Sequence, residues 1–216
     1  MSNESTSPAL KWILIAVIGA SFLVAVFFVL LATYPANDYR VARELESRGF
    51  RVFYRWHDSL IWQYPTHVSG VDQSITPDDC RLVCQLSRLQ SWDFVRCDVL
   101  GLNLDEIGNC RELSSFNCVD VTQFSAGEIR KLAACPVTRV MLQNAHLNDS
   151  DLEHFVGLSK LGLLMLEGNA GITDAGLEHL EKISSLKNLT LPQTSVTKEG
   201  VEEFQKKRPD VKVWFE

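Results

Sequence analysis

The sequence has no surplus of positive charge. Its 21 Lys and Arg are outnumbered by 27 Asp and Glu, for a formal charge of −6, and a nucleic-acid binder needs a basic face to neutralise phosphates. Also missing are a Gly-rich phosphate loop, a G-x-S-x-G turn and an H-E-x-x-H pair, so nucleotide-handling, hydrolase and metalloprotease chemistry have no carrier. No enzymatic role is expected. Six cysteines are present, but Cys80 and Cys84, one helical turn apart, lack the second close pair that a zinc site needs. Neither a metal nor another cofactor is expected.

Charge is absent altogether from one stretch. Between Trp12 and Tyr34, "WILIAVIGASFLVAVFFVLLATY" carries no ionisable acid or base, and the first charge after it is Asp38. A helix of that length crosses a hydrocarbon core of ~30 Å at ~1.5 Å per residue. Trp12 and Tyr34 stand where an aromatic belt lies. A cleaved leader is the competing reading, but the apolar run is long for one and "LLATYPAND" offers no small-x-small cleavage site. We therefore expect a retained single-pass anchor at 12–34 behind a short tail at 1–11. Lys11 precedes the span alone, whereas Arg40, Arg43, Arg48 and Arg51 follow it, which places the C-terminal part in the cytoplasm by the positive-inside rule. Ala16-xxx-Ala20 and Ser21-xxx-Ala25 set small residues one turn apart, a spacing that lets two spans self-associate.

The rest of the chain repeats itself. Phe94, Cys118, Leu142, Leu166 and Leu191 recur at intervals of 24, 24, 24 and 25 residues. Two residues ahead of them stand Trp92, Phe116, Val140, Leu164 and Leu189, and three further back Leu89, Leu113, Val137, Leu161 and Leu186. The pattern L-x-x-L-x-L is a short strand with one face inward. A second apolar column (Ile75, Val99, Phe124, Leu147, Ile172, Val196) is followed by polar starters Thr76, Ser125, Asn148, Thr173 and Thr197, residue types that cap helix N-termini. Leu100 breaks that column. Thr76-Pro77 and the capping box Ser125-x-x-Glu128 strengthen the expectation of a helix in each repeat. The helices bury Cys80, Leu104, Ile129, Leu152, Leu177 and Val201, with a second column three residues on. One such unit cannot bury its own apolar side, whereas a stack closes a continuous core, and helices wider than the strand spacing make the stack curve with strands inside.

These columns resemble the leucine-rich repeat family, in its cysteine-containing, ribonuclease-inhibitor-like branch and as found in membrane-anchored bacterial proteins. "LGLLMLEGNAGITDAGLEHL" carries the likeness most fully. The resemblance implies an α/β solenoid over 66–216, with a parallel sheet on the concave face, and protein binding as its use. Only Cys97 fills the branch's cysteine position; Val121, Ala145, Asn169 and Thr194 stand there in the other repeats. Residues 35–65 read as a linker and N-terminal cap, with a helix in "NDYRVARELESRG" and strands in "FRVFYRW" and "LIWQY". "RPDVKVWFE" supplies a closing strand through Val211 and Val213. His154 and His179 are expected as solvated residues on the convex side.

Strand residues between the buried ones face the inside of the curve. They give the candidate partner site: Asp93, Asn117, Met141, Met165 and Thr190, flanked by Arg139, Leu163, Gln143, Glu167 and Trp214. Met141, Leu163 and Met165 form an adaptable apolar patch within it. The expected function is capture of a protein partner on this face, and the alternative is a structural subunit of a membrane complex without a dedicated ligand site.

Overall fold

The computed structural model describes residues 36–56, 63–99 and 101–215. Helix α1, residues 36–47, buries Val41, Ala42 and Leu45 on one side, and Gly49 ends the segment at φ +91°. Among the described residues no helix is long and apolar enough to cross a membrane. The span expected at 12–34 lies outside the described residues.

Strands β1 (Arg51–Trp56) and β2 (Gln63–Val71) form an antiparallel pair with a register shift between Phe53 and Tyr54. The second strand was expected at 60–64, but it runs on to Val71 because its far half is already the first rung of the parallel sheet. His67–Val71 pair with Ser91–Val95, which sets Val68 beside Trp92. Cap and first repeat thus share one strand. The sheet continues through β3 (Ser91–Val95), β4 (Ser115–Val119), β5 (Arg139–Gln143), β6 (Leu163–Met165), β7 (Asn188–Thr190) and β8 (Lys212–Trp214), each parallel to the one before, in the order β1 to β8.

Register explains the columns. Trp92, Phe116, Val140, Leu164 and Leu189 occupy one row and are fully buried, as are Phe94, Cys118, Leu142, Leu166 and Leu191 two residues on. Trp92, Phe94 and Phe116 pack as an aromatic cluster with ring centroids 5.2–6.2 Å apart, filling the early repeats where leucines are scarce. All six cysteines are buried and unpaired.

The return segments differ from the expected uniform helices. Helices α2 (Pro77–Val83), α3 (Asp174–Leu180) and α4 (Lys198–Lys207) follow Thr76, Thr173 and Thr197, whereas Ile107–Asn109, Ala126–Ala134 and Asp149–Phe155 are 3-10 turns. The tighter spiral still sets residues three apart on one side, so Ile129 with Leu132 and Leu152 with Phe155 reach the core. The capping box expected at Ser125 does not form. Glu128 Oε2 instead accepts the backbone N–H of Leu104 in the preceding repeat at 2.8 Å, and Lys131 Nζ holds the same carboxylate at 2.8 Å. A tie between repeats has replaced a cap within one.

Similar ties account for the phrase T-D-x-G. Asp149 accepts both the N–H and the hydroxyl of Thr173 at 2.7 Å, and Asp174 accepts those of Thr197 at 2.8 and 2.7 Å. Each Asp therefore secures the helix start of the next repeat. A Cβ on Gly176 would lie 2.5 Å from Asp149 Oδ1, and one on Gly200 2.0 Å from Asp174 Oδ1, so the glycine makes room for its neighbour's carboxylate.

Candidate functional site

Every strand from β3 onward turns one set of side chains into the core and the next set onto the open sheet face. Strand register places Asp93, Asn117, Met141, Met165, Thr190 and Trp214 in a single row across six strands. Arg139 and Leu163 begin the adjoining stretch, which runs on to Asn188 and Lys212. Gln143 lies beside Val119, and its amide donates to the Glu167 carboxylate just past the end of β6. All ten residues expected at the site thus fall on one face.

The face has two halves. At β3 and β4 it is polar and internally bonded: Asn117 Nδ2 donates to Asp93 Oδ1 at 2.5 Å and to Ser115 Oγ at 3.1 Å, while Ser91 Oγ donates to Asp93 at 2.8 Å. Ser91 and Ser115 are buried beneath this clasp. Toward β5 and β6 it becomes apolar, with Met141, Leu163 and Met165 each half-buried. Packing side by side on a flat face covers much of each side chain, so the patch is less open than an isolated methionine would be. At the far edge Trp214 is 40% exposed and lies under Lys212, whose Nζ is 4.6 Å from the ring centroid. A cation held there by an aromatic face gains about 0.5–1 kcal/mol.

Sequence reasoning missed two features of this surface. One is β1, which extends the open face beyond the repeats: Arg51 sits opposite Ser69 and Phe53 opposite His67, so Arg51, Phe53 and Arg55 line it while Tyr54 turns away to Glu46. Phe53 is 53% exposed. Their alternation with Val52 and Tyr54 was the available signal, hidden because the segment was read only as a cap. The second is a ladder along the turn after each strand. Asp72, Arg96, Asp120, Asn144, Gly168 and Gln193 all have left-handed backbone, φ +48° to +74°. The N–H groups of Asp72, Arg96, Asp120, Asn144 and Gly168 each donate to a carbonyl of the next repeat at 2.8–3.0 Å.

The side chains of the turn ladder follow suit. Arg96 grips Asp72 through two bonds of 2.6 and 2.8 Å, and Asn144 Nδ2 donates to Asp120 at 2.6 Å. Hydrogen bonding to the Arg96 guanidinium holds the Asp72 carboxyl below its ordinary range. A spacing of 24 residues between D, R, D and N was legible in principle, but only a left-handed turn gives it meaning.

Asn169 anchors the same turn from inside. It is fully buried, accepts the N–H groups of Ala145 and Leu147 at 3.0 Å and donates to the carbonyls of Leu142 and Leu166 at 2.7 Å. His154, expected in solvent, has only 12% of its side chain exposed, and Arg130 Nε donates to its Nδ1 at 2.7 Å. Among the described residues no three His, Cys, Asp or Glu side chains converge as a metal-ligating group.

Parallel rungs at a near-constant interval, buried apolar columns and a buried asparagine in the turn define a solenoid of stacked strand-and-return repeats. No family model matches the chain and no curated protein is similar to it. Among solved structures, a leucine-rich-repeat protein of Leptospira interrogans aligns with TM-score 0.47 and 20% identity over 62% of this chain and 33% of that one. Internalin C2 of Listeria monocytogenes aligns with TM-score 0.47 and 14% identity over 68% of this chain and 69% of its own. Internalin F of the same organism gives 0.41 and 13% over 68% and 46%. This chain spans a third of the Leptospira protein and less than half of internalin F, and the architecture rests on its own register and columns.

Proposed function

We propose that this is a single-pass, membrane-anchored protein whose repeat domain captures a protein partner on the open face of its sheet. The observation that carries the reading is the contiguous apolar patch of Met141 and Met165, on adjacent rungs of the row that also holds Asp93 and Asn117, with Leu163 beside them in the next row, all three half-buried. Flexible thioether side chains adapt to varied surfaces. With this few rungs the footprint is at most ~800 Å² on each partner, so affinity is modest unless the anchors cluster.

The anchor is the uncharged run at 12–34, and the arginines after it favour a cytoplasmic repeat domain. Six unpaired, buried cysteines agree with a reducing compartment.

The test replaces Met141 and Met165 together by Asp in the full-length protein and follows partner capture by crosslinking in the native membrane. Capture should be lost while the circular dichroism spectrum is unchanged; full capture by the double variant refutes the site. Orientation is read separately from a C-terminal tag, which protease should cut only after permeabilisation.

A further inference from the structure

The protein carries a formal charge of −6, yet the open sheet face does not share that sign. Arg51 and Arg55 project from β1, Arg139 from β5 and Lys212 from β8; among the described residues none of the three arginines forms an ion pair, although Arg51 lies near enough to Asp72 to help hold its carboxyl down. Lys212 rests on the Trp214 ring and, among the described residues, meets no carboxylate. The two acidic residues of the face are already occupied, Asp93 by Asn117 and Ser91 and Glu167 by Gln143. Along the adjoining turns, Asp72 is taken by Arg96 and Asp120 by Asn144. The carboxylates have local donors, and Arg55, Arg139 and Lys212 are left for something else.

We infer that the partner captured on this face presents an acidic, partly apolar extended segment laid across the strands; this rests on the binding role proposed above. Strand spacing sets its pattern. From β1 to β5 is four inter-strand steps, about 19 Å, and from β5 to β8 three steps, about 14 Å, at ~4.8 Å per step. An extended chain advancing ~3.3 Å per residue needs about six residues for the first interval and four for the second. Acidic residues so separated meet the arginines of β1, then Arg139, then Lys212. Apolar residues between them lie over Met141, Leu163 and Met165, and an aromatic or aliphatic residue at the first end meets Phe53. A face carrying these cations also disfavours basic segments, which supplies selection as well as attraction.

The experiment presents a display library of random fourteen-residue peptides to the full-length protein in detergent, in parallel with the Met141→Asp, Met165→Asp variant. Peptides retained by the first and not by the second report the sheet face. They should be enriched in Asp and Glu at the two intervals above, lose affinity as salt is raised, and weaken roughly two- to five-fold with Arg139→Glu and again with Arg55→Glu. The Arg139 side chain is exposed and bonded to no described residue, so Arg139→Gln serves as a fold-neutral variant that should weaken binding by less than Arg139→Glu. If face-dependent peptides are neutral or basic, or ignore both arginine substitutions, the acidic partner is overturned while the binding face stands. If no peptide distinguishes the two proteins, both readings fail.

Discussion

Replacing Asn169 by Ala should cost the repeat domain about as much as truncating a fully buried leucine, about 2–5 kcal/mol. The Asn169 amide serves four backbone groups across two repeats: it accepts from the Ala145 and Leu147 N–H groups and donates to the Leu142 and Leu166 carbonyls. Alanine removes all four partners at a site with no solvent exposure. Each buried N–H left without an acceptor costs about 1–3 kcal/mol, so the two donors alone bring the loss to about 4 kcal/mol, a large part of the 5–15 kcal/mol typical of a domain. Because each repeat contacts only its neighbours, the damage should be local. Amide hydrogen exchange should show faster exchange from Ala145 through the last repeats, with β3 and β4 protected as before, and urea unfolding should begin earlier. A loss below about 1 kcal/mol, with Ala145 and Leu147 amides still protected, would refute the view that the asparagine stitches the turn.

Gly176→Ala should destabilise, against the usual gain of up to ~1 kcal/mol for Ala over Gly in a helix, since its Cβ would meet Asp149 at 2.5 Å. Adding Asp149→Ala should recover part of the loss, and a double-mutant cycle on urea midpoints measures the coupling. Burial works to raise the Asp79 carboxyl, but the Thr76 hydroxyl and amide and the Arg48 guanidinium outweigh it and hold the carboxyl below its ordinary range. Its contribution is therefore complete above about pH 4 and fades as pH falls through the lowered folded value; Asp79→Asn should flatten that acid limb of a stability–pH curve. All six cysteines are buried, and burial pushes the Cys80 and Cys135 thiols up to about 11; because a thiol reagent cannot reach them, labelling at pH 8 should leave the native protein unmodified and reach all six once urea unfolds it. Early labelling of the native chain would show that the core is open.

The strand side of the repeat was legible because parallel register turns a sequence interval directly into spatial neighbours. Trp92 and Phe116 could be placed in the leucine column by spacing alone, and both are buried there. For the same reason the ten candidate site residues reached one face. The helix side was less legible, since a cap-like residue does not decide which backbone it serves. Glu128 had the spacing of a capping-box partner and went instead to Leu104 of the preceding repeat. The β1 arginines were passed over because a segment read as a lid was not asked what its outer face shows.

The left-handed turn at Asp72, Arg96, Asp120, Asn144, Gly168 and Gln193 also makes the length of the molecule a quantised variable. The first five of these turns hand their N–H to the following repeat, so excising one complete period joins a donor to an equivalent acceptor, whereas removing half a period leaves both ends unmatched. Duplication or loss can therefore change the protein only by whole rungs, each worth ~4.8 Å. Such a change moves Arg139 and Lys212 relative to Arg51 by a fixed step while leaving every local contact type in place. Genetic length variation in this chain would then act as a ruler, setting how far apart two charges on a ligand must stand.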